Sequence, residues 1–242
     1  MADIHYHGPV VAFDLDDTLF PEYDWAVGGY RAAAQLLKTE LAPGLDTTEA
    51  VAVMERALRA RKNPFDALRE FLCPSLAEAA CFDRLLPALL DSYRYHQPEL
   101  TLFPDAAKLL ETLSEKGIRM ALVTDGRGRT QRQKIEALGI GRYFHPDDIL
   151  ISEETGAAKP SLKAFIPLVR HYPEASRFCY VGDNVAKDFT APNALGWITI
   201  LAPQRSLAIH TDAPAESEAT RPQFAVESLP DVLSIINIGQ TD

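Results

Sequence analysis

Short apolar runs alternate strictly with helical segments through the second half of the sequence. The apolar runs predict strands at residues 118–124, 149–151, 178–181, 197–201 and 224–226. The segments with helical spacing lie at residues 106–116, 130–138, 161–171, 187–195 and 229–236. Alternation with short connections is typical of an α/β fold, in which helices cover both faces of an open, parallel, doubly wound (Rossmann-like) sheet.

One more strand is predicted close to the N-terminus, before a long helical stretch. Residues 10–13 are continuously apolar, follow the breaker Gly8-Pro9 and lead into a group of aspartates. From residue 21 to residue 99 the apolar spacing is helical, and breaks at proline and glycine suggest about four helices. We therefore predict an α/β core domain, residues 1–20 and 100–242, interrupted after its first strand by a helical domain of residues 21–99.

Composition and charge exclude several classes of protein. At 47% hydrophobic residues, the 242-residue chain can bury a sizeable core. The 24 basic and 34 acidic residues give a net charge of -10, which opposes binding to nucleic acid or to an anionic membrane. A small anionic ligand needs only a local positive site, so it stays compatible with this charge.

Targeting and cysteine patterns favour a cytoplasmic protein. No basic segment followed by an apolar one marks the N-terminus, and no apolar stretch approaches the roughly 18 residues of a membrane span. Cys73, Cys81 and Cys179 are odd in number and form no CxxC pair. This pattern predicts neither a disulfide framework nor a zinc site and suits a reducing compartment.

The first predicted strand ends in Asp14, Asp16 and Asp17. Because ligands of such sheets bind beyond the carboxyl ends of the strands, polar residues there are candidate site residues. Burying several carboxylates together is costly unless a cation compensates them, and Mg²⁺ prefers oxygen ligands. A solvated turn or a helix cap is the alternative for an aspartate pair on its own.

Two further candidate groups could contact an anion. Thr124 ends the strand predicted at 118–124, and Asp125 and Gly126 follow it; together they offer a hydroxyl and a turn with backbone N–H groups. Lys159, held before Pro160, lies between a strand and a helix. An ordinary turn and an exposed lysine are the alternatives when each feature is taken alone.

A second acidic pair, Asp183 and Asp188, follows the fourth strand. A helix-capping role for Asp183 is the alternative. Acidic cluster, hydroxyl, lysine and second acidic pair nevertheless occur in order, each at or just after a predicted strand end. Their combination favours a single site over four unrelated local features.

Four segments together resemble a known family. They are VVAFDLDDTL at 10–19, ALVTDG at 121–126, the pair Lys159-Pro160, and VGDNVAKD at 181–188. They look like the four ordered motifs of the haloacid dehalogenase-like (HAD) hydrolase superfamily, and the helical domain resembles that family's C1-type cap. The resemblance spans the whole core domain.

The resemblance implies a phosphomonoester hydrolase that works through an aspartyl phosphate. Asp14 would be the nucleophile and Asp16 the general acid and base. Thr124, with Asp125 and Gly126 after it, would hold the phosphoryl oxygens, and Lys159 would add positive charge. The implied substrate is a small soluble phosphorylated metabolite.

The resemblance also implies a magnesium site. Asp14, the backbone carbonyl of Asp16 and Asp183 would hold the ion, and Asp188 would orient Lys159 or a metal-bound water. Asn184 stands where many relatives carry a second acid, and we leave it out of the predicted ligands.

Two alternatives remain open at this level. A phosphomutase or other phosphotransferase of the same fold would keep these residues, and a non-catalytic binding module would keep the fold. A dehalogenase would not need Asp16 or Asp183, so these residues argue against it. The sequence leaves the physiological substrate and the oligomeric state open.

Overall fold

The computed structural model describes residues 5–73, 75–205, 208 and 217–236. The chain divides into two compact units. The core unit comprises Met1–Pro21 and Thr101–Asp242, and the helical unit comprises Glu22–Leu100.

The core unit contains, within the described residues, a six-stranded sheet in which every pair of neighbours is parallel. The strands are β1 (Pro9–Phe13), β2 (Arg119–Thr124), β3 (Ile149–Ile151), β4 (Arg177–Gly182), β5 (Ile198–Leu201) and β6 (Phe224–Ala225). Their order across the sheet is β3-β2-β1-β4-β5-β6. This order confirms the predicted doubly wound fold class.

Helices precede and follow the strands. In chain order they are α1 (Glu22–Glu40), α2 (Thr47–Arg59), α3 (Pro64–Leu72), α4 (Leu76–Arg94), α5 (Pro104–Glu115), α6 (Gly128–Ala137), α7 (Ser152–Thr155), α8 (Ile166–His171), α9 (Thr190–Ala194) and α10 (Val232–Ile236). Among the described residues, no helix is both long enough and apolar enough to cross a membrane.

Strand β1 lies at the point where the strand order reverses, between β2 and β4. All five of its residues are buried, as expected for a central strand covered on both faces. Phe13, its last residue, is in register with Leu122 of β2 and Val181 of β4. The residues just after these strands therefore gather at one edge of the sheet, where ligands of doubly wound folds bind.

Aromatic packing on the sheet fixes the core. Phe165 lies edge-on to Tyr180 of β4 and to Trp197, with ring centroids 5.1 and 5.6 Å apart. All three rings belong to one buried cluster with residues of β1 and β2. This packing anchors β4, whose carboxyl end leads into the second acidic pair.

Three predicted helices are shorter than expected. The segment 229–236 is divided into a 3₁₀ turn, Leu229–Asp231, and α10. The segment 161–171 is divided into a 3₁₀ turn, Leu162–Ala164, and α8, because Pro167 lacks an N–H and suits only a first helical turn. The segment 187–195 contains only α9. Before it, the amides of Lys187 and Asp188 both donate to the Asn184 carbonyl and form a separate turn.

The helical unit is organised by α1 and α4. Tyr93 of α4 contacts the rings of Trp25, Tyr30 and Phe65, with centroids 4.9 to 5.6 Å away. Gly29 of α1 allows this close approach, since a β-carbon there would lie 2.7 Å from the Tyr93 carbonyl oxygen. Trp25 and Tyr30 are thus core residues of this unit.

Candidate active site

The polar residues predicted as a site meet at the carboxyl ends of the three adjacent strands β2, β1 and β4. Asp14 directly follows β1, and its amide donates to the Val181 carbonyl of β4 over 2.9 Å. Thr124 is the last residue of β2, and Asp183 directly follows β4. Asp14 and Thr124 are buried, with 4% and 1% of their surface exposed.

Lys159 links two of these carboxylates. Its Nζ lies 2.8 Å from Asp14 Oδ1 and 2.7 Å from Asp188 Oδ1, and it also donates to the Tyr180 hydroxyl over 3.1 Å. Burial alone would lower the pKa of Lys159, but the Asp14 and Asp188 carboxylates raise it well above its usual value. The lysine is therefore a permanent cation at neutral pH.

Both carboxylate oxygens of Asp188 have protein partners. Oδ1 accepts from Lys159, and Oδ2 accepts from the Asn184 amide over 2.8 Å. Gly182 has no room for a side chain, since a β-carbon there would lie 2.5 Å from Asp188 Oδ2. With both oxygens engaged, Asp188 suits the predicted orientation of Lys159 better than direct coordination of a metal.

Asp14, Asp183 and Asp188 place carboxylate oxygens within 4.8 Å of one another. Burial, followed by the charges of Asp14, Asp188 and Asp17, raises the pKa of Asp183 to about 9, although Lys159 opposes the shift. Thr18 fixes Asp183 by donating to its Oδ1 over 3.2 Å. Lys159 by itself thus does not keep Asp183 ionised at neutral pH, whereas a hard divalent cation, to which these oxygen donors are suited, would do so.

Asp125 and Gly126 hold the neighbouring loops. Asp125 Oδ1 accepts from the Lys159 amide over 3.0 Å, so this carboxylate connects the end of β2 to the lysine segment. The Gly126 amide donates to Ser152 Oγ over 2.9 Å. A phosphoryl oxygen would have to replace Ser152 at this N–H, so the phosphate-binding role of Gly126 stays a prediction.

Asp16 has partners that the sequence interpretation missed. Its Oδ1 accepts from Lys134 Nζ over 2.7 Å, and its Oδ2 accepts from Gln131 Nε2 over 2.9 Å. Gln131 Nε2 also donates to Thr124 Oγ1 over 2.6 Å. A signal was present, because Gln131 and Lys134 occupy the helical stripe shared with Ile135 and Leu138, where apolar residues are expected.

Tyr180 was also missed. Its hydroxyl lies between Lys159 and the Val123 carbonyl, to which it donates over 3.3 Å. Burial raises the pKa of this phenol well above its usual value, so it stays protonated. A tyrosine inside an apolar strand has no sequence signal that separates this role from ordinary packing.

A second group of candidate metal ligands lies just before β3 and at the end of α8. It consists of His145, Asp148 and His171. Asp148 Oδ1 contacts His171 Nδ1 at 2.6 Å, and Oδ2 accepts from the Tyr172 hydroxyl. Because both oxygens of the buried carboxylate already have protein partners, the group is explained as a structural clamp before β3.

Comparison with known proteins identifies the same family that the sequence motifs resemble. A sequence model of the haloacid dehalogenase-like hydrolase family matches residues 9–196, most of the chain. The ribulose-1,5-bisphosphate 5-phosphatase of Halopiger xanaduensis is 34% identical over 211 residues, 79% of this chain and 83% of the relative. The glyceraldehyde 3-phosphate phosphatase of Methanocaldococcus jannaschii is 29% identical over 204 residues, 78% of this chain and 82% of the relative.

Solved structures show the same fold. The HAD-hydrolase YfnB of Bacillus subtilis, determined with magnesium bound, aligns with a TM-score of 0.60 at 21% identity and covers 96% of this chain and 100% of its own. A HAD phosphatase from Thermococcus onnurineus aligns with a TM-score of 0.59 at 22% identity, covering 94% and 97%.

Proposed function

Because the chain belongs to the haloacid dehalogenase-like hydrolase family, we propose that it hydrolyses phosphomonoesters of small metabolites with magnesium as its cofactor. The observation that carries the proposal is the buried cluster in which Lys159 Nζ lies within 2.8 Å of both Asp14 and Asp188. Relatives named as phosphatases of small sugar phosphates support the same reaction.

Asp14 is the proposed nucleophile. Its carboxylate attacks phosphorus, the ester bond to the leaving alkoxide breaks, and an aspartyl phosphate forms. Lys159 fixes the carboxylate through Oδ1 and offers positive charge to the phosphoryl oxygens, whose charge is spread in the transition state. Thr124 Oγ1, with the backbone that follows it, is proposed to bind these oxygens.

Asp16 is the proposed general acid and base. It gives a proton to the leaving alkoxide in the first step. In the second step it takes a proton from the water that attacks the aspartyl phosphate, which releases inorganic phosphate and regenerates both side chains. The same carboxyl group thus serves both steps.

The proposed metal ligands are Asp14, Asp183 and the backbone carbonyl of Asp16. A bound Mg²⁺ neutralises the repulsion between an anionic nucleophile and an anionic substrate. Thr18 holds Asp183 for this role, and Asp188 supports it by holding Lys159.

We further propose that the helical unit, predicted as residues 21–99, is a cap that selects the leaving group. Residues far from the reacting atoms commonly set specificity in this way, through the difference in transition-state binding between substrates. Named relatives act on phosphate esters of three-carbon and five-carbon compounds, so short phosphorylated metabolites form the first substrate panel.

The test is hydrolysis of this panel, and of an aryl phosphate, by purified protein with and without Mg²⁺. The wild-type protein should hydrolyse these substrates only when Mg²⁺ is present. Asp14→Asn should lose about 10⁴-fold or more of kcat while remaining folded, since an amide cannot act as the nucleophile. Activity of Asp14→Asn in a preparation free of wild-type enzyme would overturn the proposal.

A second measurement tests the metal without relying on turnover. Mg²⁺ should raise the melting temperature of the wild-type protein, because a ligand that binds only the folded state stabilises it. Asp183→Asn should remove most of this shift. An equal shift in both proteins would place the ion elsewhere.

A further inference from the structure

Helix α6 carries two buried polar side chains that converge on Asp16. Lys134 and Gln131 are 2% and 1% exposed and lie three residues apart, on one face of the helix. Lys134 Nζ contacts Asp16 Oδ1 at 2.7 Å, and Gln131 Nε2 contacts Asp16 Oδ2 at 2.9 Å. Each oxygen of this carboxylate is therefore held by a separate donor from the same helix.

The buried positions of a helix such as α6 are usually apolar. Burying an ammonium group there is costly unless a counter-charge offsets it. Here Asp16 provides that charge, and the Phe20 ring, whose centroid lies 5.8 Å from Lys134 Nζ, adds a cation–π contact. The cost is understandable if the position of Asp16 matters for the reaction.

Gln131 connects Asp16 to a second site residue. The same Nε2 that contacts Asp16 donates to Thr124 Oγ1 over 2.6 Å. One amide thus sets the spacing between the proposed proton donor and a hydroxyl proposed to hold the phosphoryl group. Small displacements of such groups are costly, because proton transfer requires hydrogen-bond distance to the reacting oxygen.

We propose that Lys134 and Gln131 are positioning residues for Asp16. This inference rests on the proposed function, since it assumes that Asp16 acts as acid and base. Lys134 Nζ and Gln131 Nε2 hold the two Asp16 oxygens from one helix. The carboxyl group therefore keeps its position in both steps, the one in which it gives a proton and the one in which it takes one.

The decisive variant is Lys134→Met, which removes the ammonium and keeps an unbranched apolar chain. We expect kcat for an alkyl phosphate to fall about 10- to 100-fold with little change in KM, as for a group that acts in the transition state. The loss should be smaller for an aryl phosphate, whose leaving group needs less protonation. Lys134→Arg should recover part of the activity, and Lys163→Met, at an exposed lysine of the core unit, should match the wild type.

A double-mutant cycle separates positioning from mere packing. In an Asp16→Asn background, Lys134→Met should have almost no further effect on the rate of phenolate release in a single turnover. Gln131→Leu should slow alkyl phosphate hydrolysis as well and should also raise KM, because Thr124 loses its partner. Mg²⁺ binding measured by calorimetry should be unchanged in Lys134→Met.

The possible failures are distinguishable. Absence of magnesium-dependent turnover in the wild type, or activity of Asp14→Asn, would overturn the proposed function itself. A different set of results would overturn only the positioning role. In that set the wild type is active and Asp14→Asn is inactive. Lys134→Met, however, is impaired equally on alkyl and aryl phosphates, or loses as much activity in the Asp16→Asn background as in the wild type.

Discussion

The ion pairs of Lys159 in the core unit and the ion pair of Arg69 in the helical unit are similar in length but differ in exposure. In the core unit, Lys159 meets Asp14 and Asp188 at 2.8 and 2.7 Å, and none of the three side chains is more than 5% exposed. In the helical unit, Arg69 meets Asp83 at 2.6 Å, but the two side chains are 39% and 50% exposed. The N–O distance therefore does not show which interaction contributes more to stability. Water screens the exposed Arg69–Asp83 pair much more than the buried pairs of Lys159.

Four further basic residues of the helical unit extend the contrast. The helical unit presents Arg56, Arg59, Arg61 and Lys62 to solvent, as a solvated helical surface would. Arg59 is engaged within that unit, where it donates to the Tyr23 hydroxyl over 2.8 Å. The core unit instead buries its charges at the strand ends, which is where we expect the largest effects of substitution.

Substitution of Asp16 in the core unit is expected to cause a large loss of turnover. Asp16→Asn should slow hydrolysis of alkyl phosphates by about 10²- to 10⁴-fold, the usual contribution of a general acid and base. Transfer from an aryl phosphate to Asp14 should survive better, while hydrolysis of the aspartyl phosphate becomes slow. Rapid mixing should then show a burst of about one phenolate per site before slow turnover.

Two other results would show that Asp16 does not act as the general acid and base. If Asp16→Asn lost Mg²⁺ binding or unfolded, Asp16 would be a structural residue. Turnover of both substrate types at the wild-type rate would remove it from the mechanism.

The next prediction compares the stability that the buried ion pairs of Lys159 and the exposed Arg69–Asp83 pair contribute. Lys159→Met leaves Asp14 and Asp188 buried without their cation and should lower the free energy of unfolding by about 3–5 kcal/mol. Lys159 is charged throughout neutral pH, since its pKa is raised well above its usual value in the folded protein. Arg69→Met should leave the unfolding midpoint nearly unchanged, because its partner is exposed and becomes hydrated.

Chemical denaturation of both variants at neutral pH, without Mg²⁺, checks this expectation. Equal losses of stability in Lys159→Met and Arg69→Met would mean that burial does not govern the strength of these pairs. The measurement is independent of any substrate.

The fold was predictable because its signals are local and repeated. Each central strand is a short apolar run, and the polar residues that follow β1, β2 and β4 could be assigned to one edge by topology alone. The limits of α8 and α9 were less predictable, because Pro167 and the turn at Asn184 interrupt segments whose apolar spacing still looks helical.

The candidate site was only partly predictable for a different reason. Strand-end residues such as Asp14 and Thr124 are placed by the sheet, whereas Gln131 and Lys134 of α6 reach the site through side-chain length and packing. A sequence shows that Gln131 and Lys134 occupy an apolar stripe, but it does not show which carboxylate compensates them. That information exists only once α6 is packed beside the turn after β1.

The smallest expected effect lies in the helical unit and tests its proposed role. Arg31, Glu55 and His96 line a cavity of about 680 Å³ formed by residues of that unit. If the unit selects substrates, Arg31→Met should change kcat/KM for the preferred metabolite by up to about tenfold, the scale of a single binding contact. Hydrolysis of a small aryl phosphate should change less than about twofold, since the reacting groups are untouched.

Lys62→Met, at an exposed lysine of the same unit, provides the matched control. Steady-state kinetics on both substrates give the result, and equal losses on both would show that the helical unit affects the chemistry as much as the choice of substrate.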